Sequence, residues 1–130
     1  MEPCYPLDEV KRICVEENIE LGKTRCLDYL TAHVDPLQCI EFARCVGQEL
    51  TLDDFCRVAV LKGGVKYDEY GVRLSPGLRE QFNVTHLGNF YVKLRIAKPG
   101  RLVFFLSLHE MEEAMQRRGG WLDTGRGRKK

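Results

Sequence analysis

Side chains able to move a proton or hold an anion cluster in the C-terminal half of this chain. Between Asn89 and Ala97 the side chains alternate: Phe90, Val92, Leu94 and Ile96 share one face, and Tyr91, Lys93 and Arg95 share the other. From Arg101 to His109 the alternation repeats, with Leu102, Phe104, Leu106 and Leu108 expected in the core and Ser107 and His109 opposite. Histidine suits proton transfer because its ordinary pKa is about 6.5. Arginine and lysine suit a phosphate, and tyrosine can stack on a base or orient a hydroxyl. Together they are the parts needed to cut RNA, where the 2′-hydroxyl must lose a proton, the crowded phosphate must be held and the 5′-oxygen must gain a proton. We therefore assign His109, Tyr91 and Arg57 as candidate catalytic groups, with His109 as the acid at the 5′-oxygen. Lys93, Arg95, Tyr67, Lys66 and Ser107 are candidate RNA-binding groups. This chemistry requires no metal and no cofactor. The competing readings are plain: Tyr, Lys and Arg alternating on a strand also make an ordinary solvated face, and Arg57 can pair with Asp54. His33 and His86 have no motif around them and are read as surface residues.

For these side chains to meet, the last two strands must pair. A loop at 98–100 would set Ala97 opposite Arg101, Tyr91 opposite Ser107 and Asn89 opposite His109, leaving Tyr91 and His109 as diagonal neighbours about 7–8 Å apart. The preceding pair is predicted at Arg57–Lys62 and Val65–Tyr70 around a two-residue Gly63-Gly64 turn. Helices are expected over the first 56 residues: one opened by Pro6, one capped by Thr24 and running to about Ala32 with Leu27 and Leu30 inward, and one capped by Asp35 and stopping at Gly47. Thr51 and Asp54 have capping-box spacing. Residues 71–88 read mostly as loop, and 110–118 as a final helix. The sum is an α+β domain (α/β in the broad sense), N-terminal helices on a mostly antiparallel twisted sheet. It spans residues 1–118, with a flexible basic tail at 119–130.

The net charge of +1 conceals a split. Residues 1–56 carry 12 acidic and 5 basic side chains, and residues 57–130 carry 7 acidic and 15 basic. A basic half attracts phosphate backbones, although two complementary faces within one fold would have the same tally. The chain has 44% hydrophobic residues and a longest apolar run of Leu102 to Leu106. It reads as a globular, cytoplasmic protein with no membrane span. Its six cysteines show no Cys-x-x-Cys pair and several fall on apolar helix faces, so they are read as structural thiols.

The order of several short pieces resembles the MqsR (motility quorum-sensing regulator) toxins of bacterial toxin–antitoxin systems. These pieces are Val10-Lys11, Thr24-Arg25, Leu50 to Phe55 running into Cys56-Arg57, Asp68-Glu69-Tyr70, Gly88-Asn89-Phe90-Tyr91-Val92-Lys93 and Leu106-Ser107-Leu108-His109. The resemblance implies a RelE-like fold, metal-independent cleavage of single-stranded messenger RNA, and a cognate antitoxin protein as partner. It implies nothing about oligomeric state. Tyr91 matches a functional tyrosine of that family. Arg57 and His109 stand where lysines are usual, and Tyr67 where a glutamine is common. These departures leave a second reading open: a non-catalytic RNA- or protein-binding module on the same scaffold.

Overall fold

The computed structural model describes residues 2–97 and 101–125. Helix α1 (Leu7–Val15) opens at Pro6 and buries Leu7, Val10, Ile13 and Cys14. A short strand β1 (Ile19–Leu21) follows, then a π-helical turn (Lys23–Leu27), α2 (Asp28–Thr31), a 3-10 turn (Pro36–Gln38) and α3 (Cys39–Glu49). The remainder is β2 (Phe55–Val60), β3 (Lys66–Val72), α4 (Pro76–Gln81), β4 (Phe90–Ala97), β5 (Leu102–Glu110), β6 (Met115–Arg117) and β7 (Gly120–Leu122). Strands β1 to β5 form one sheet in the order β1-β5-β4-β3-β2, and β6 and β7 form a separate hairpin. Only β1 runs parallel to its neighbour, so the sheet is mixed but mostly antiparallel and the class is α+β. Helices α1 and α3 pack together, with Phe42 of α3 inward, against one sheet face made of Phe55, Tyr70, Phe90, Val92, Leu94 and Phe105. The opposite face carries the polar side chains. No helix among the described residues is long and apolar enough to cross a membrane.

Several expectations are corrected. The last two strands pair with Ala97 opposite Leu102, one residue from expectation at the loop, and a bulge of β5 at Leu106 adds a second, setting Lys93 opposite Ser107 and Tyr91 opposite His109. The extra residue shifts the alternation, so Val103 and Phe105 enter the core in place of Leu102 and Phe104. Beyond the bulge the alternation returns to the expected phase, and Ser107 and His109 keep the polar face. The 98–100 loop lies outside the described residues. The turn between β2 and β3 is three residues long (Lys62–Gly64), and Gly63 and Gly64 both have positive φ, which glycine adopts without strain. Residues 71–88 include the end of β3 and α4, whose first turn is capped by Ser75 accepting from the Leu78 amide.

The helical half also differs in detail. Thr24 caps nothing: Gly22 precedes the π-turn, and Leu27 is exposed while Leu30 is buried. Asp35 caps as expected, accepting from the Leu37 amide at 2.9 Å. Gly47 does not stop α3, and a Cβ there would lie 3.0 Å from Cys14 Sγ, so it lets α1 and α3 approach. All six cysteines are free thiols, with Cys14, Cys26 and Cys39 buried.

The expected final helix is instead the β6–β7 hairpin. Gly120 adopts φ 120°, and Arg118 N and Gly119 N donate to Phe55 O and Asp53 O. Asn89 N donates to Thr124 O, so the fold continues past residue 118. The tail residues Arg126, Arg128, Lys129 and Lys130 lie outside the described residues. Asp54 fastens the hairpin from below. One carboxylate oxygen accepts from Arg117 at 2.8 Å, and the other accepts from the Thr51 amide at 2.9 Å in the capping box. Both members of the ion pair are largely buried. Removing one leaves the other charge without its partner, so Asp54→Ala should cost about 2–4 kcal/mol in urea unfolding. A loss below about 0.5 kcal/mol would mean that the hairpin is held elsewhere.

Candidate active site

A cleft of about 580 Å³ opens on the polar sheet face. Its floor is formed by Arg57 of β2, Glu69 of β3, Tyr91 and Lys93 of β4, and Ser107 and His109 of β5. One wall is residues 111–116, leading into the β6–β7 hairpin, and the rim carries Arg25 from the π-turn. Gly71 lets this wall close. It sits opposite Tyr91, and a Cβ there would come 3.1 Å from Met115 Sδ. All three residues assigned as catalytic therefore meet, along with Lys93 and Ser107.

Glu69 is the centre of the arrangement, and sequence reading did not assign it. Its carboxylate is buried, with Arg57 Nε donating to Oε1 at 2.8 Å and the Tyr91 hydroxyl donating to Oε2 at 2.8 Å. Lys93 Nζ lies 3.5 Å from Oε2. The three donors come from β2 and β4, which flank β3. Glu69 stands directly opposite Arg57 on one side and Lys93 on the other. Burial alone would raise the carboxyl's pKa, but the donors and their charges hold it below the ordinary 4.5. The Tyr91 phenol is pushed well above 10 by burial first, then by its bond to Glu69, so it stays a protonated donor. Arg57 remains mostly solvent-exposed despite this pairing, with a side-chain exposure of 69%.

His109 is buried beside Tyr91, with ring centroids 5.3 Å apart. Nδ1 lies 2.7 Å from Glu110 O, and Nε2 lies 3.1 Å from an Arg25 terminal nitrogen. A carbonyl at one nitrogen and a guanidinium at the other fit a neutral imidazole that donates from Nδ1 and accepts at Nε2. Burial lowers the histidine's pKa below 6.5, and the Arg25 charge adds to the effect. A resting acid at neutral pH needs the opposite. A lowered pKa favours the proton-free form that a base needs over the protonated form that an acid needs, and Arg25 stands on the nitrogen that would take the proton.

The remaining candidates lie outside the cleft. Arg95 sits on the same sheet face, with its guanidinium 5.8 Å from the Tyr67 ring centroid. Tyr67 in turn lies 6.4 Å from Phe104. Lys66 is exposed at the start of β3, and its carbonyl accepts from the Tyr5 hydroxyl. These form a second, aromatic and cationic patch further along the strands. The cleft itself is not basic: among the residues lining it, Arg25, Arg57 and Lys93 are matched by Glu69, Glu112 and Glu113. Arg57 pairs with Glu69 rather than with Asp54, which belongs to Arg117. His33 is exposed as expected, stacked on Tyr29 at 4.3 Å, and His86 is exposed as well. Among the described residues, no group of three or more His, Cys, Asp or Glu side chains is placed to hold a metal.

No family model, no curated protein and no solved structure matches this chain. The likeness to the MqsR toxins rests on the short pieces quoted above.

The lowered pKa of Glu69 fixes the sign of a stability effect. A carboxylate held ionised in the fold contributes stability above its ordinary pKa and loses it as pH falls through the folded value. Glu69→Gln should be less stable than wild type at pH 7, by on the order of 1–3 kcal/mol. The difference should shrink as pH is lowered below about 4.5. Urea unfolding of both proteins across this range measures it, and a difference independent of pH would mean that the charge is not what the site holds.

Proposed function

We propose that this protein is a metal-independent endoribonuclease acting on single-stranded RNA. The observation that carries this reading is the buried, donor-saturated Glu69 beside Tyr91, Arg57, Lys93 and His109, all in one open cleft. In this mechanism His109 Nε2 takes the proton of the 2′-hydroxyl. The O2′–P bond forms as the P–O5′ bond breaks. Arg57 and Lys93 hold the non-bridging oxygens as charge builds. Tyr91 turns from Glu69 and gives its proton to the departing 5′-oxygen; solvent then returns a proton to Tyr91 and takes one from His109. Glu69 keeps Arg57, Lys93 and Tyr91 in place. Products are a 2′,3′-cyclic phosphate and a 5′-hydroxyl, and DNA resists because it lacks the attacking group. Compared with the expectation from sequence, His109 moves from acid to base, and Tyr91, expected to orient a hydroxyl or stack on a base, supplies the proton.

The resemblance to MqsR toxins extends the proposal. The enzyme would act on messenger RNA in the cytoplasm, as the toxin of a toxin–antitoxin pair, and a cognate antitoxin protein would neutralise it. The second reading, a non-catalytic RNA- or protein-binding module, draws support from the charge-balanced cleft and from Arg25 occupying His109 Nε2.

The deciding assay is cleavage of a mixed-sequence RNA in excess EDTA. His109→Ala should lose on the order of 10²–10⁴ in rate, the usual worth of a positioned acid or base. Expression of wild type should arrest growth, and expression of His109→Ala should not. Full activity in His109→Ala would remove His109 from the mechanism, and an inactive, well-folded wild type would favour the binding module. As a base of lowered pKa, His109 should make kcat/KM rise from acid pH to a plateau, with a midpoint below 6.5. A fall in kcat/KM across the same range would restore the acid role. The Lys93→Ala/Arg95→Ala double variant should bind RNA more weakly and with a flatter salt dependence. An unchanged slope would place the phosphate contacts elsewhere.

A further inference from the structure

Arg25 stands at the junction of two cavities. One is the 580 Å³ cleft, and the other is a hollow of about 340 Å³ lined by Thr24, Arg25, Asp28, Tyr29, His109, Glu110 and Glu112. A single terminal nitrogen of Arg25 lies 3.1 Å from His109 Nε2 and 3.1 Å from Glu112 Oε2. Both Arg25 and Glu112 are more than half exposed, at 52% and 63%. An exposed ion pair of this kind is weak and is screened by salt. A guanidinium can instead take a phosphate through two parallel hydrogen bonds, a geometry that Glu112 does not provide here. The side chain therefore has room on both sides, a weak present partner, and a stronger one in any phosphodiester that enters.

The backbone beneath it is unusual. Arg25 is the middle residue of the π-turn closed by Leu27 N donating to Gly22 O at 2.8 Å. Gly22 in turn lies against the β5 bulge, where a Cβ would come 3.1 Å from Leu106 O. The bulge that sends Ser107 and His109 to the polar face thus also seats the turn that brings Arg25 to His109.

We propose that Arg25 is a substrate-operated cover of the site. It holds His109 Nε2 in the empty cleft and transfers to the incoming phosphodiester, so the lone pair is exposed only with RNA in place. This deepens the ribonuclease reading and rests on it. The groups facing His109 are Arg25 of the π-turn, Tyr29 of α2, Tyr91 and Lys93 of β4, the Glu110 carbonyl, and Glu112 beyond β5. Of these only Arg25 bonds Nε2, so its departure changes both the hydrogen bonding and the charge at that nitrogen.

The test is a nitrogen-15 NMR titration of His109 in wild type, Arg25→Gln and Glu112→Gln, without and with a 2′-O-methyl RNA oligonucleotide that cannot be cleaved. Binding is followed separately by fluorescence anisotropy. In wild type the oligonucleotide should shift the Nε2 resonance. In Arg25→Gln the RNA-free resonance should already be displaced, the histidine should titrate at higher pH than in wild type, and the RNA-induced change should be smaller. The salt dependence of oligonucleotide binding should flatten by about 0.7 in log–log slope, the value of one lost single-strand phosphate contact. Glu112→Gln should keep the Nε2 signature and respond to RNA as wild type does. An oligonucleotide that binds without moving Nε2, an Arg25→Gln protein with wild-type His109 titration and salt slope, or no oligonucleotide binding at all would each overturn the proposal. None of these readouts needs turnover. A protein that shows the transfer yet never cuts RNA would sink the ribonuclease reading and leave the Arg25 exchange standing.

Discussion

A carboxylate taken out of water must be surrounded by donors or lose its charge, and Glu69 meets that requirement by drawing on the strands either side of its own. Satisfying it sets the rest of the cleft. Arg57, Tyr91 and Lys93 are fixed relative to one another because each answers to the same two oxygens. A one-residue slip of β2 or β4 against β3 would turn those donors to the helix-packed face and strand the charge. Register here is thus specified twice, by the hydrophobic alternation on one side of the sheet and by the ion cluster on the other. Lining up cations around one anion also leaves them partly neutralised. The cleft consequently offers positioned donors rather than a broad positive field.

The alternation of Phe90 to Ala97 showed which side chains of β4 share a face, and this brought Tyr91 and Lys93 to the site correctly. Alternation from Arg101 to His109 placed His109 and Ser107 there as well, but it put Leu102 and Phe104 in the core, where a bulge that period-two reasoning does not contain brings Val103 and Phe105 instead. An extra residue at Leu106 leaves no local mark among apolar neighbours. Glu69 was missed for a different reason. Within Tyr67-Asp68-Glu69-Tyr70 nothing distinguishes a surface glutamate from a central one until both flanking strands are in register. Once the β2–β3 register was known, a glutamate opposite Arg57 would have been the available signal.

Other departures trace to tertiary context. Glu110 to Arg118 has a helix-compatible composition, yet the Gly119-Gly120 pair that follows turns the chain back, and the Arg117–Asp54 pair gives the resulting hairpin a place to dock. β1 is three residues long and exists only because β5 offers it an edge. Arg25 could not be linked to His109 from sequence at all, since the contact spans 84 residues. The first 56 residues are acidic as a group, yet they supply one of the three cations lining the cleft.

That separation governs how the molecule must assemble. The antiparallel strands β2 to β4 can find one another through comparatively short connections, but β1 pairs with β5 by joining residues 19–21 to residues 103–105. Closing so long a loop gives up chain entropy before any contact repays it, and such topologies fold slowly. An intermediate with the antiparallel strands paired and β1 undocked would have Glu69 and its donors from β2 and β4 in register, while the π-turn that follows β1 had yet to reach β5. The parallel edge therefore closes the longest loop of the sheet, and the contact between Arg25 and His109, which depends on it, carries the same entropic cost.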